Sequence, residues 1–113
     1  MALNTTALNV GAAAMAAAYP YLSLHTTGAV SSSANESTAP RVAANWATAN
    51  GVMTATSRAF TGGAASGPAV RVGYWSAGSG GTYGGGALLT GDQTFNAAGE
   101  YTVTSLTETP ASS

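Results

Sequence analysis

Residues Ala69–Leu89, AVRVGYWSAGSGGTYGGGALL, decide how the rest of the chain is read. Val70, Val72 and Tyr74 alternate with Arg71, Gly73 and Trp75, the period of two of a strand in a sheet with two unlike faces. Gly78, Gly80 and Gly81 then permit the positive φ values of a tight hairpin. Thr82 and Tyr83 restart the strand, and Ala87–Leu89 continue it beyond a triple glycine. The stretch predicts a β fold and contains no reactive group.

Working outward toward the N-terminus, residues 3–18 predict a helix. Leu3, Ala7, Val10, Ala14 and Ala18 form one stripe at helical spacing, and Leu8, Ala12, Met15 and Tyr19 form a second beside it. Alanine favours the helix and Pro20 stops it. The alanine-smooth face suits close packing, against its own domain or against another subunit. Tyr21–Thr26 alternates as a strand, and residues 27–40 make a long Ser/Thr/Gly loop that includes Asn35 and Glu36. Connections of that length are often contact loops. Arg41–Trp46 predicts a strand, Asn50-Gly51 a turn, and Val52–Phe60 one strand or two.

Toward the C-terminus, residues 61–68 read as a loop that leads into the hairpin. Gln93–Asn96 predicts a short strand, Ala98-Gly99 a turn, and Tyr101–Thr107 the last strand. In that strand Tyr101, Val103 and Ser105 are expected to face one way, Thr102, Thr104 and Leu106 the other. Residues 108–113 read as an extended tail. Seven or eight short strands with turns about every ten residues predict a mainly β chain, a β-sandwich of jelly-roll type with one N-terminal helix. The 113 residues fit a single domain, residues 21–107 forming its β part. Trp46, Phe60, Trp75 and Phe95 are the expected core anchors, since each can bury a large apolar area.

Composition narrows function mainly by exclusion. Leu, Val and Phe together number 16 and Ile is absent, yet net charge is only −1 and charged residues are 6%, so the signature of disorder is half missing. A chain so short of charge gains little solubility from electrostatics. That points to a protein working inside an assembly, the other reading being a neutral Thr/Ser-coated β domain. There is no lysine, and Arg41, Arg58 and Arg71 do not make the basic patch that nucleic acid needs. With no cysteine there is no disulfide, thiolate metal site or cysteine nucleophile. No apolar run approaches the ~20 residues of a membrane-spanning helix. The Ala-rich start lacks a positive region, so no export signal is read there and the Asn4 and Asn35 sequons are taken as chance.

The candidate constellations are sparse. Ser23 and His25, the single histidine, share a strand face, and Glu36 follows, but no Gly-x-Ser-x-Gly elbow is present. The favoured reading is that His25 ties its strand to the Asn35-Glu36 loop by hydrogen bonds. One His, one Asp and three Glu have no metal-ligand spacing, and Asp92 fits a turn. Gly80–Gly86 lacks the Gly-Lys-Ser/Thr of a phosphate loop. Tyr74, Trp75 and Tyr83 could form a sugar-binding platform, or simply pack. Arg41 and Arg71 are candidates for pairing with Glu36 or Glu100. No catalytic, cofactor or metal residue is assigned; the contact candidates are His25, Asn35, Glu36, Arg41, Trp46, Arg71, Tyr74, Trp75 and Tyr83.

In order along the chain, Ser23-Leu24-His25-Thr26, Ala34-Asn35-Glu36, Arg41, Trp46, Val72-Gly73-Tyr74-Trp75-Ser76 and Gly80-Gly81-Thr82-Tyr83 resemble a family of small virion structural proteins of tailed bacteriophages. Its members are head-decoration, minor tail or tail-fibre proteins. The resemblance covers almost the whole chain, though the loop after His25 lacks the family's Asp-Pro-Gly turn. It implies a non-enzymatic protein of the virion without cofactor. The leading expectation is a capsid decoration protein whose partners are the major capsid protein and its own copies. The alternative is a tail protein that attaches to a host-surface glycan. A hydrolase using His25 is the third class.

Overall fold

The computed structural model describes residues 5–29, 33–49 and 51–108. One helix, α1 (Thr5–Ala18), precedes seven strands: β1 (Tyr21–His25), β2 (Val42–Ala43), β3 (Ala47–Ala49), β4 (Val52–Phe60), β5 (Arg71–Trp75), β6 (Tyr83–Leu88) and β7 (Tyr101–Glu108). They form two antiparallel sheets, ordered β2-β1-β5-β6 and β3-β4-β7. Leu22, Leu24, Val72 and Tyr74 of the first meet Ala55, Phe60, Val103 and Leu106 of the second in one core, which Phe95 and Ala69 complete. The helix lies against β3 and β4.

The hairpin read from the sequence is present, with Gly73 opposite Gly86 and a bulge between Tyr74 and Trp75. Every residue of β5 is buried, so its two unlike faces are both covered. In α1 it is the second stripe that turns inward. Ala12 is buried and Met15 half-buried, whereas Val10 is 66% exposed and Ala14 and Ala18 are exposed. Residues 3 and 4 of the expected helix, 30–32 of the long loop and Asn50 of the expected turn lie outside the described residues.

Four expectations are corrected. Arg41–Trp46 is not one strand: only Val42 and Ala43 pair with β1, and the chain then crosses to the other sheet. Buried Ala44, whose N–H donates to Pro20 O, and Asn45, at φ 52°, make that crossing. The alternation of β7 fails, because Val103 and Leu106 are both buried. The facing strand β4 is continuous, but Ser57 sits at φ 52° and leaves the ladder there, which resets which side points inward. Gln93–Asn96 contributes a single bridge, Thr94 to Pro68. Glu108 is not tail: it ends β7 and its carboxylate accepts a hydrogen bond from Tyr74 Oη at 2.7 Å. The remaining tail residues, 109–113, lie outside the described residues.

Candidate functional site

The polar residues of β1 and β5 gather on the outer face of the four-stranded sheet. Ser23 and His25 alternate with the core residues Leu22 and Leu24, and Arg71, Gly73 and Trp75 alternate with Val72 and Tyr74. Pairing sets Ser23 beside Gly73 and His25 beside Arg71. Glycine at 73 is a steric necessity: a Cβ there would stand 2.6 Å from both Ser23 Oγ and His25 Nε2 and 2.8 Å from the Tyr83 ring. The missing side chain is the space the polar groups occupy.

Their hydrogen bonds run in one direction. Ala34 O can only accept, so His25 Nδ1, 2.9 Å away, carries the proton. Nε2 of the neutral ring therefore accepts from Ser23 Oγ at 2.6 Å, and Ser23 Oγ accepts from Trp75 Nε1 at 2.8 Å. Arg71 serves the same neighbourhood with each of its three nitrogens. Nε donates to Thr27 O at 2.7 Å, Nη2 to Ala34 O at 2.9 Å and Nη1 to Tyr83 Oη at 2.6 Å. Ser23, His25 and Arg71 have no exposed surface. Burial lowers the His25 pKa, and the Arg71 charge adds to that effect, while the bond to Ala34 opposes it. Burial raises Tyr83, against the pull of Arg71.

The segment 33–41 roofs this layer. Thr26 N donates to Asn35 O at 2.9 Å and Ser37 N to Leu24 O at 2.7 Å, extending the ladder past β1, with Asn35 turning at φ 60°. Arg41 closes the far end. It grips Glu36 with two bonds of 2.9 and 3.0 Å and donates to Ala77 O and Gly80 O. Its guanidinium carbon lies 3.5 Å from the centre of the Trp75 ring, a cation–π stack.

The structure thus brings together seven of the nine contact candidates: His25, Asn35, Glu36, Arg41, Arg71, Trp75 and Tyr83. Trp46 and Tyr74 lie on the core side, edge to face at 5.7 Å, and Trp46 Nε1 donates to Tyr19 O. Arg41 pairs with Glu36 as the sequence offers, whereas Arg71 takes neither Glu36 nor Glu100 and is solvated by carbonyls and a phenol. Trp75 is a buried anchor, but on the opposite side of the sheet from the core. Its indole lies beneath Arg41, and Tyr74 points away from it, so the three aromatics share no open platform. Ser23 and His25 have the spacing of a nucleophile and base. A carbonyl stands where an orienting carboxylate would be, and the hydroxyl is sealed from solvent while the roof is closed.

An open groove of about 530 Å³ was not foreseen. It runs beside the start of β7 and is lined by Phe60, Thr90, Asp92, Asn96, Glu100 and Tyr101, among others. Asp92 Oδ1 caps Thr94, as a turn residue should. Asn96 Oδ1 accepts from Ala98 N and Glu100 N, and Tyr101 Oη donates to Asp92 O. No sequence spacing links Asp92 to Glu100; the turn at residues 97–99 brings their loops to one wall. Among the described residues no group of three or more His, Asp and Glu could hold a metal ion, and no helix is long and apolar enough to cross a membrane.

Fold and site define a small, mainly β protein in which a buried polar layer fastens a loop to the outside of a sheet. No family model matches the chain, and no curated protein or solved structure matches it.

Proposed function

We propose that this protein is a non-catalytic structural component of a tailed bacteriophage particle, a capsid decoration protein bound to the outer surface of the major capsid lattice. The observation that carries this reading is the fate of its reactive side chains. Ser23, His25 and Arg71 are buried without exposed surface, and their hydrogen bonds fasten one another, Thr27, Ala34, Trp75 and Tyr83. A catalytic pair must reach its substrate; this one is arranged to hold a loop. The order of residues resembling small phage virion proteins supplies the particle. In its finer form the fold is a β-sandwich of jelly-roll type, a reading favoured by the way the chain returns to each sheet in turn.

The test is the protein content of purified particles. A copy number comparable to the major capsid subunit is expected, with decorated shells resisting heat or low salt better than shells stripped of the protein. Absence from the particle overturns the proposal. The second reading, a tail protein that binds a host glycan, is favoured by the groove beside β7, whose Asp92, Asn96, Glu100 and Tyr101 are the residue types that hold sugar hydroxyls and ring faces. A few copies per particle, with glycan binding lost in Glu100→Ala, would select it.

A further inference from the structure

The four sheet edges are not equally protected. A strand edge presents unpaired N–H and C=O groups, and proteins blunt such edges with short strands, bulges, charges or proline. Edge strand β2 has two residues and β3 has three. Edge strand β6 carries a register shift near its start and Gly85 at φ 131°. Strand β7 is neither short nor interrupted by proline, and its one charge, Glu108, stands at its end. It is eight residues long, YTVTSLTE, free of Lys, Arg and Pro, and its register with β4 is the same on both sides of the one unpaired position, Ser57 opposite Thr104. Among the described residues no backbone partner lies on its other side, where a cleft of about 120 Å³ separates it from residues 88–90.

We infer that β7 pairs antiparallel with β7 of a second copy, joining two three-stranded sheets into one of six. The sequence of the strand is complementary to itself in one register. About a two-fold axis between residues 104 and 105, Tyr101 lies opposite Glu108 of the second copy, Thr102 opposite Thr107, Val103 opposite Leu106, and Thr104 opposite Ser105. Polar side chains meet polar ones and apolar meet apolar, the pairings that stabilise sheets. In a regular strand residues 103 and 106 would face opposite sides, and a two-fold axis perpendicular to the sheet could not pair them. Here both are buried, because the alternation resets between them, so the break in β7 is what makes the register possible. Charge agrees as well. The two Glu108 carboxylates end about 24 Å apart along the strands, well beyond the screening length of about 8 Å in physiological salt. The side chains of Thr102, Thr104, Ser105 and Thr107 are exposed.

This inference names a contact within the proposed assembly role and rests on that role only for its setting. Sedimentation of the free protein tests it, with the 11.0 kDa chain expected at twice its mass. Thr104→Lys and Ser105→Glu should each place like charges beside the axis and weaken dimerisation about tenfold or more. Mixing the two variants should restore the dimer, because the lysine introduced in one copy then faces the glutamate introduced in the other; a variant that had merely unfolded would not recover. Thr48→Lys, on the opposite edge of the same sheet, should leave the dimer unchanged. A wild-type monomer at all concentrations, or a dimer lost in Thr48→Lys and kept in Thr104→Lys, overturns the inference. A monomer that still binds capsids overturns only the pairing. A dimer absent from particles overturns only the assembly role.

Discussion

The central strands of the four-stranded sheet, β1 and β5, are buried on both faces, and the two faces are held by different physics. On the inner face Leu22, Leu24, Val72 and Tyr74 join a core shared with the second sheet. On the outer face Ser23, His25, Arg71 and Trp75 are as completely enclosed, beneath a roof of loop. Apolar burial is non-directional and tolerates exchange of one hydrophobe for another of similar size. A buried polar network is stabilising only when every donor and acceptor is met, and one missing partner costs more than the bond itself. The outer face should therefore be the more brittle of the two.

Arg71 offers the largest expected effect. Arg71→Ala removes the donor to Thr27 O, Ala34 O and Tyr83 Oη at once, and should cost about 4 kcal/mol in chemical denaturation. Arg71→Lys should recover little, since an ammonium cannot reproduce the planar fork that reaches three acceptors. A lysine variant within about 1 kcal/mol of wild type would show that charge alone, not geometry, fastens the roof. Leu24→Ala, on the inner face of the neighbouring strand, should cost about 3 kcal/mol by creating a cavity. The contrast lies in what else moves. Leu24→Ala should lower protection across both sheets together. Arg71→Ala should also speed hydrogen exchange selectively at the Thr26 and Ser37 amides, whose bonds to Asn35 O and Leu24 O join β1 to the roof.

Gly73 sharpens the comparison from the side of shape. Gly73→Ala puts a methyl group where the Ser23 hydroxyl, the His25 imidazole and the Tyr83 ring already meet. An overpacking cost of about 2 kcal/mol is expected, together with protease sensitivity in residues 33–41. Equal loss of stability without opening of that segment would mean that the sheet, rather than the roof, absorbs the strain.

The sequence made the hairpin legible because β5 alternates cleanly and its turn is rich in glycine. It also made Arg41–Glu36 and the tie from His25 to its loop legible, since residue types and short separations limited the options. What it hid were features set by distant contacts. Nothing local marks Ser57 and Asn45 as left-handed, yet they decide which side chains of β4 and β7 turn inward and where the chain changes sheet. Arg71 has three acceptors that lie between 12 and 44 residues away, two of them backbone carbonyls that carry no sequence signature. The role of Gly73 was visible only in outline, as a glycine between two bulky neighbours on one face. The groove beside β7 needed the 97–99 turn to bring Asp92 and Glu100 to one wall.

Protonation of His25 is the mildest way to separate the two faces, because it changes the outer network and leaves the core untouched. In the folded protein the ring is neutral, with Nδ1–H given to Ala34 and Nε2 accepting from Ser23. A proton on Nε2 would point at a hydroxyl whose own hydrogen then lacks its acceptor, within reach of the Arg71 and Arg41 charges and of one carboxylate, Glu36. The folded-state pKa is accordingly below the usual histidine value, burial being the main cause. The unfolded chain, titrating near 6.5, therefore binds the proton first as pH falls. Between that value and the lower folded pKa the unfolded state carries more protons, so stability rises with pH there. It is complete above about pH 6.5 and is lost progressively on acidification. His25 is the single histidine, and carboxylates titrate mostly below about pH 5. Denaturation midpoints between about pH 5 and 7 should thus fall with acid in the wild type and stay nearly flat in His25→Gln. A wild-type profile as flat as that of the variant would mean that the outer layer accommodates the charge, and that the two faces are less different than their hydrogen bonds suggest.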